Sequence, residues 1–143
     1  MFIVYLLIII NLFIFINTKE PENFKIVKEK YRILREHIQK GNDEDMKVLV
    51  DEITLTAHND LYFNTLGYNT NKGYEIGLCI NGEPNEIFHV LLHELAHSTV
   101  KEYSHSDHFW DKTRKLKAIA KEIGIYEPIN KKTRFCSSYI QDN

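Results

Sequence analysis

Leu91-Leu92-His93-Glu94-Leu95-Ala96-His97-Ser98 (LLHELAHS) is the stretch that decides the reading of this chain. His93 and His97 are four residues apart, so on an α-helix they lie one turn apart on one face and their imidazoles converge. That spacing predicts two nitrogen ligands for Zn2+. Glu94 is rotated about 100° from His93, which lets its carboxylate reach a metal-bound water without displacing a ligand. It is placed as the general base.

The surroundings agree with a helix. Asn85 is expected to cap it, and Ile87, Phe88, Leu91, Leu92 and Leu95 form its apolar face. Before it, Tyr74, Ile76, Leu78 and Ile80 alternate with Glu75, Gly77 and Cys79, which predicts a strand ending at the turn Asn81-Gly82. After it, a turn near Tyr103 to Ser106 precedes a helix carrying Phe109, Trp110, Leu116, Ile119, Ala120 and Ile123, closed by Gly124. The tail from Ile125 reads as irregular. Further upstream, Phe24, Val27, Tyr31, Leu34 and Ile38 step by three and four and predict a helix between Glu20 and Lys40, ended by Gly41. Met46, Leu49, Val50 and Ile53 suggest a second helical element, with the β-branched Ile53-Thr54-Leu55-Thr56 as its strand alternative. The Asn- and Gly-rich run from His58 to Gly73 reads as loops and turns.

A catalytic zinc takes three protein ligands and keeps one open position. A metzincin would carry Gly and His at positions 100 and 103, but the residues there are Val100 and Tyr103, so that pattern is excluded. The remaining candidates are Glu102, His105, Asp107, His108 and Glu122. His105 lies in the Ser104–His108 turn, where the chain can fold back towards the first two histidines. His108 is expected in the first turn of the next helix, solvated or capping. His89, one turn before His93, is about 12 Å along the axis from His97 and reads as a supporting or core histidine. His37 and His58 default to the surface.

The 143 residues suit one domain, and 18 basic against 20 acidic side chains give a net charge of -2, which offers no strong nucleic-acid signal. Cys79 and Cys136 are too few for a four-cysteine zinc site and read as small buried hydrophobes, with pairing reserved for an oxidising compartment. Residues 1–17 read as an apolar leader or membrane anchor and residues 18–143 as the domain. The apolar run at residues 2–16 would span roughly 22 Å as a helix, short of a ~30 Å hydrocarbon layer. It lacks a basic n-region and a small-residue cleavage site. Lys19, Lys25, Lys28, Lys30 and Arg32 follow it, so an anchored domain is expected on the cytoplasmic side, and an unanchored one as a soluble intracellular protein.

His93-Glu94-Leu95-Ala96-His97 followed by Ser104-His105-Ser106-Asp107-His108-Phe109-Trp110 resembles the WLM and SprT-like zinc metallopeptidases. The resemblance runs from about residue 66 to 137, supported by Asn71-Lys72-Gly73, the strand segment and Phe135-Cys136. It implies an α+β, zincin-like fold with a small antiparallel or mixed sheet packed on an active-site helix, here preceded by the N-terminal apolar helix. It also implies His93, His97 and His105 as zinc ligands, Glu94 as the catalytic glutamate, and Phe109 with Trp110 packed behind the third ligand. The gap of eight from His97 to His105 exceeds the family's usual six. The expected activity is zinc-dependent hydrolysis of a protein or peptide substrate, which adds as an extended strand to the edge offered by Tyr74–Ile80. Tyr103 and Tyr68 are candidates for oxyanion donors. A zinc-stapled, membrane-tethered binding module and a zinc hydrolase of a non-peptide amide are the competing functions.

Overall fold

The computed structural model describes residues 1–60 and 64–142. The predicted helices form where the apolar periodicity placed them. Helix α1 spans Phe2–Asn17, α2 Glu22–Lys40, α3 Pro84–Thr99 and α4 Asp107–Glu122. The whole α2 stripe, from Phe24 to Ile38, is buried. So are Ile87, Phe88, Leu91, Leu92 and Leu95 of α3 and Phe109, Leu116 and Ala120 of α4. One apolar core joins these faces to Ile76 and Leu78 of the sheet. Pro84 opens α3, where its missing N–H costs nothing. The cap is Glu83 and not the expected Asn85: Glu83 and Glu86 form a reciprocal capping box. Asn85 instead pairs with the Glu127 backbone through both ends of its amide, tying the tail to the start of α3.

Five strands among the described residues complete the α+β architecture. Strands β1 (Thr54–His58), β3 (Glu75–Cys79) and β2 (Gly67–Thr70) form a mixed sheet in that order, β1 parallel and β2 antiparallel to β3. Strands β4 (Thr133–Phe135) and β5 (Ser138–Ile140) form a separate hairpin.

The structure corrects several expectations. The element at Met46 is only a 3-10 helix, Glu44–Leu49, and the β-branched run after it is strand β1, the alternative reading. The supposed loop from His58 to Gly73 contains β2; its residues 61–63 lie outside the described residues. The tail is irregular as expected over residues 125–132, but its residues 133–140 fold as the β4–β5 hairpin. Strand β3 is central, with neighbours on both sides, so it offers no edge. The edges of the three-stranded sheet are β1 and β2.

The cysteines are not separate buried hydrophobes. Cys79 ends β3 and Cys136 forms the β4–β5 turn; the fold brings their Cα atoms to 6.6 Å, and they form a disulfide across a sequence separation of 57. Helix α1 has no buried residue. Its polar side chains fold back on its own carbonyls, Asn11 on Leu7, Asn17 on Phe13 and, at its cap, Thr18 on Phe15. Among the described residues no single helix is long and apolar enough to cross a membrane; only α1 and α2 together, bent by 54°, reach that length and composition.

Candidate metal centre

Helix α3 presents His93 and His97 on one face, as the four-residue spacing requires. After its last residue, Thr99, the chain turns back, and Ser106 caps α4 by accepting from the Phe109 N–H at 3.1 Å. This turn delivers His105 to the first two rings. His105 Nε2 lies 3.1 Å from His93 Nε2 and 3.2 Å from His97 Nε2. Phe109 is fully buried beneath the cluster, its ring centroid 4.9 Å from His93, 4.3 Å from His97 and 4.8 Å from His105. Trp110 borders His93 and His105 at 5.8 and 5.7 Å.

The donor set fits a tetrahedral divalent ion. Zn–N bonds of 2.0–2.1 Å at tetrahedral angles imply N···N separations of roughly 3.3–3.4 Å, close to those observed. Hydrogen bonding alone accounts for the cluster poorly, because His105 Nε2 carries at most one proton and faces two nitrogens. Two of the imidazoles, His93 and His97, are held towards the neutral form that ligates. Burial, followed by the neighbouring His97 and His105, pushes His93 down to about 3, and burial likewise lowers His97. Among the described residues, His93, His97 and His105 form the one histidine, cysteine or carboxylate group that could hold a metal ion. The other candidates for a third ligand are engaged or remote. Glu102 takes a hydrogen bond from Ser106 Oγ at 2.6 Å and pairs with His108 at 3.3 Å. Glu122 is exposed at the far end of α4 and Asp107 is exposed in its first turn.

Glu94 is 7% exposed, and burial raises its carboxyl to about 7. It lines a cleft of about 400 Å3 together with the three histidines, Leu66, Gly67, His89, Val90 and Ile140. Strand β2 forms one wall and β5 supplies Ile140. A glycine at 67 permits this wall: a Cβ there would lie 2.7 Å from Val90 Cγ1, 3.1 Å from Gly77 O and 3.2 Å from Glu94 Cγ.

Two supporting residues went unrecognised in the sequence. Asn69 of β2 donates to Glu94 O at 2.7 Å and Ser98 Oγ at 2.8 Å while accepting from Gly73 N–H, so it pins the β2–β3 turn to α3. Lys72 reaches from that turn to the C-terminus of α3, donating to Val100 O at 2.7 Å, Glu102 O at 2.6 Å and His97 O at 3.3 Å. It satisfies carbonyls left open at the helix end and complements the helix dipole. The turn itself runs left-handed through Asn71, Lys72 and Gly73. An Asn-Lys-Gly turn signals this geometry, but nothing local shows where the ammonium goes.

Of the tyrosines considered for an oxyanion role, Tyr68 bonds Glu75 at 3.1 Å, and Tyr103 is 78% exposed with Lys72 over its ring. Neither lines the cleft. His37 is exposed, and His58 is half-buried with Nε2 3.0 Å from Thr65 O.

A short mixed sheet beside a helix that carries paired histidines, with a third histidine returned from the following turn, defines a zincin-like domain of the metallopeptidase class. Residues 46–137 match the WLM domain, and the chain belongs to that family. Among solved structures, it is similar to the crystal structure of the metallopeptidase zymogen of Pyrococcus abyssi abylysin. The identity is 26%, covering 65% of this chain and 87% of that one, with a TM-score of 0.45. A search of curated proteins finds no match.

Proposed function

We propose that the protein is a zinc-dependent metallopeptidase that hydrolyses peptide bonds, with His93, His97 and His105 as the zinc ligands and Glu94 as general base. The observation that carries this reading is the meeting of three imidazoles, with His105 Nε2 3.1 Å from His93 Nε2 and 3.2 Å from His97 Nε2, beside a buried carboxylate that lines the same cleft. When bound, zinc supplies Lewis-acid polarisation of the scissile carbonyl and a water of pKa near ~7. Glu94 takes a proton from the attacking water and later gives it to the leaving amine. Its apolar surroundings favour that exchange, because they bring carboxylate and carboxylic acid close in free energy near neutral pH. Phe109 and Trp110 keep the imidazoles in place and exclude water from behind them.

The substrate is a protein or peptide. Its extended backbone pairs with the edge of β2, whose start borders the cleft, and not with the central β3. Residues 1–17 form a separate apolar segment and residues 18–143 the catalytic domain. A Cys79–Cys136 disulfide is kept in oxidising compartments and is rare in the cytosol, which weighs against the cytoplasmic side expected from the lysines after α1.

Glu94→Gln tests the assignment. It is expected to retain zinc while losing peptide hydrolysis by at least about 10²-fold, the scale of a positioned general base. Retained turnover would remove Glu94 from this role, and a zinc-bound protein that hydrolyses no peptide in its unaltered form would support the non-catalytic binding module.

A further inference from the structure

The proposed hydrolysis makes no use of His89, which lies one turn before His93. It is 8% exposed, and its ring borders both the 400 Å3 cleft and a neighbouring pocket of about 240 Å3 lined by Trp110, Thr113, Lys117 and Asp142. At Nδ1 it is held by a chain of hydrogen bonds. His89 Nδ1 is 2.8 Å from Tyr126 Oη, and Tyr126 Oη is 2.5 Å from Asp142 Oδ2. Lys117 Nζ donates to Asp142 Oδ1 at 2.6 Å and the Ile129 N–H to Oδ2 at 2.7 Å. Burial works against the Asp142 carboxylate, but the bonds from Lys117, Tyr126 and Ile129 outweigh it and keep the group below the usual carboxylate range.

Proton bookkeeping then fixes the state of His89. An ionised carboxylate has no proton to give and a phenol has one, so the Tyr126 hydroxyl donates to Asp142 and accepts from His89. His89 therefore carries a hydrogen on Nδ1, and because burial lowers the ring to about 4 it is neutral at pH 7 and leaves a lone pair bare on Nε2. Among the described residues no hydrogen bond reaches Nε2, and the ring that carries it lines the 400 Å3 cleft beside the metal centre. The nearby wall, Leu66, Val90 and Ile140, is apolar. A substrate side chain seated against this wall displaces water from the acceptor and must itself supply the partner or leave it unpaired.

We propose that His89 Nε2 is a specificity-determining acceptor, receiving a hydrogen bond from a hydroxyl or carboxamide on the substrate residue seated beside the metal centre. Tyr126 and Asp142 act through it as positioning residues, because they hold the tautomer. The inference deepens the metallopeptidase reading and rests on it. A site built to receive a donor discriminates against an isostere lacking one more strongly than an apolar pocket discriminates between shapes.

The experiment uses the zinc-loaded full chain and peptide pairs that differ only by Thr or Val at each position flanking the cleaved bond. At one position the Thr peptide is expected to have a kcat/KM at least about tenfold higher. The ratio is expected to fall towards one in His89→Phe and to weaken in Tyr126→Phe, with zinc content unchanged in both. Nitrogen-15 spectra of the metal-free protein supply a readout independent of turnover: His89 is expected to be protonated at Nδ1 and bare at Nε2, with mixed tautomers in Tyr126→Phe. A protonated Nε2 in the unaltered protein, or a Thr-to-Val ratio that His89→Phe leaves intact, would overturn the assignment while leaving the peptidase standing. Failure to cleave any peptide would overturn the peptidase reading, and this inference with it.

Discussion

Replacing Lys72 by Met would test how the third histidine is kept in place. The ammonium holds three carbonyls around the end of α3, two of them at 2.7 and 2.6 Å, and the second belongs to the segment that leads to His105. Hydrogen bonds to a charged group contribute about 1.5–3 kcal/mol each when buried. Because Lys72 is half-exposed, the two short bonds together are worth about 3 kcal/mol, a few tenths of it from the helix dipole. Methionine keeps the length of the side chain but removes every donor, so the variant should lose about 3 kcal/mol in urea unfolding of the metal-free protein. Zinc affinity, measured by competition with a chromophoric chelator, should weaken about tenfold, as when a partner behind a ligand is lost. Lys101→Met is the control: Lys101 is exposed on the same turn, and its loss should change stability by less than about 0.5 kcal/mol. If Lys72→Met matched that control in both assays, the proposed clamp would be wrong.

The disulfide and His89 support two further predictions. Cys79→Ala with Cys136→Ala releases a loop of 57 residues and should cost about 4 kcal/mol by the chain-entropy estimate. Reductant should reproduce the loss in the unaltered protein, and a change below about 1 kcal/mol would mean that the bond stabilises nothing. The second concerns pH. Burial, followed by the charge of Lys117, lowers His89 to about 4 from 6.5. The unfolded chain therefore binds a proton that the folded one refuses between these values. This contribution is fully present above pH 6.5 and is lost as the pH falls towards 4, a decline of about 3 kcal/mol. The metal-free His89→Gln protein should show a correspondingly shallower fall over that window, and an identical slope would refute the burial argument.

Helices were the legible part of this sequence because their apolar spacing encodes both the element and the face it buries. The HExxH stretch added chemistry to that periodicity: on a helix, His93 and His97 can only fall on one face, and the turn at Ser104–Ser106 left His105 free to return. Strand β2 was hidden because its four residues, Gly67–Thr70, sit among Asn and Gly residues that ordinarily mark turns, and its existence depends on pairing with β3. The Cys79–Cys136 contact and the reach of Lys72 were hidden for a related reason, since both join segments whose proximity is created only by the complete fold. Likewise, no periodicity reveals which strand is central, and that is why the proposed substrate edge is β2 and not β3.

Zinc content, determined by mass spectrometry after purification in trace metal and dialysis, tests the central arrangement most directly. One zinc per chain is predicted for the unaltered protein, for Glu94→Gln and for His108→Ala, with a marked loss in His93→Ala, His97→Ala and His105→Ala. Full zinc retention in His105→Ala, or loss in His108→Ala instead, would contradict the three-imidazole centre proposed for this chain.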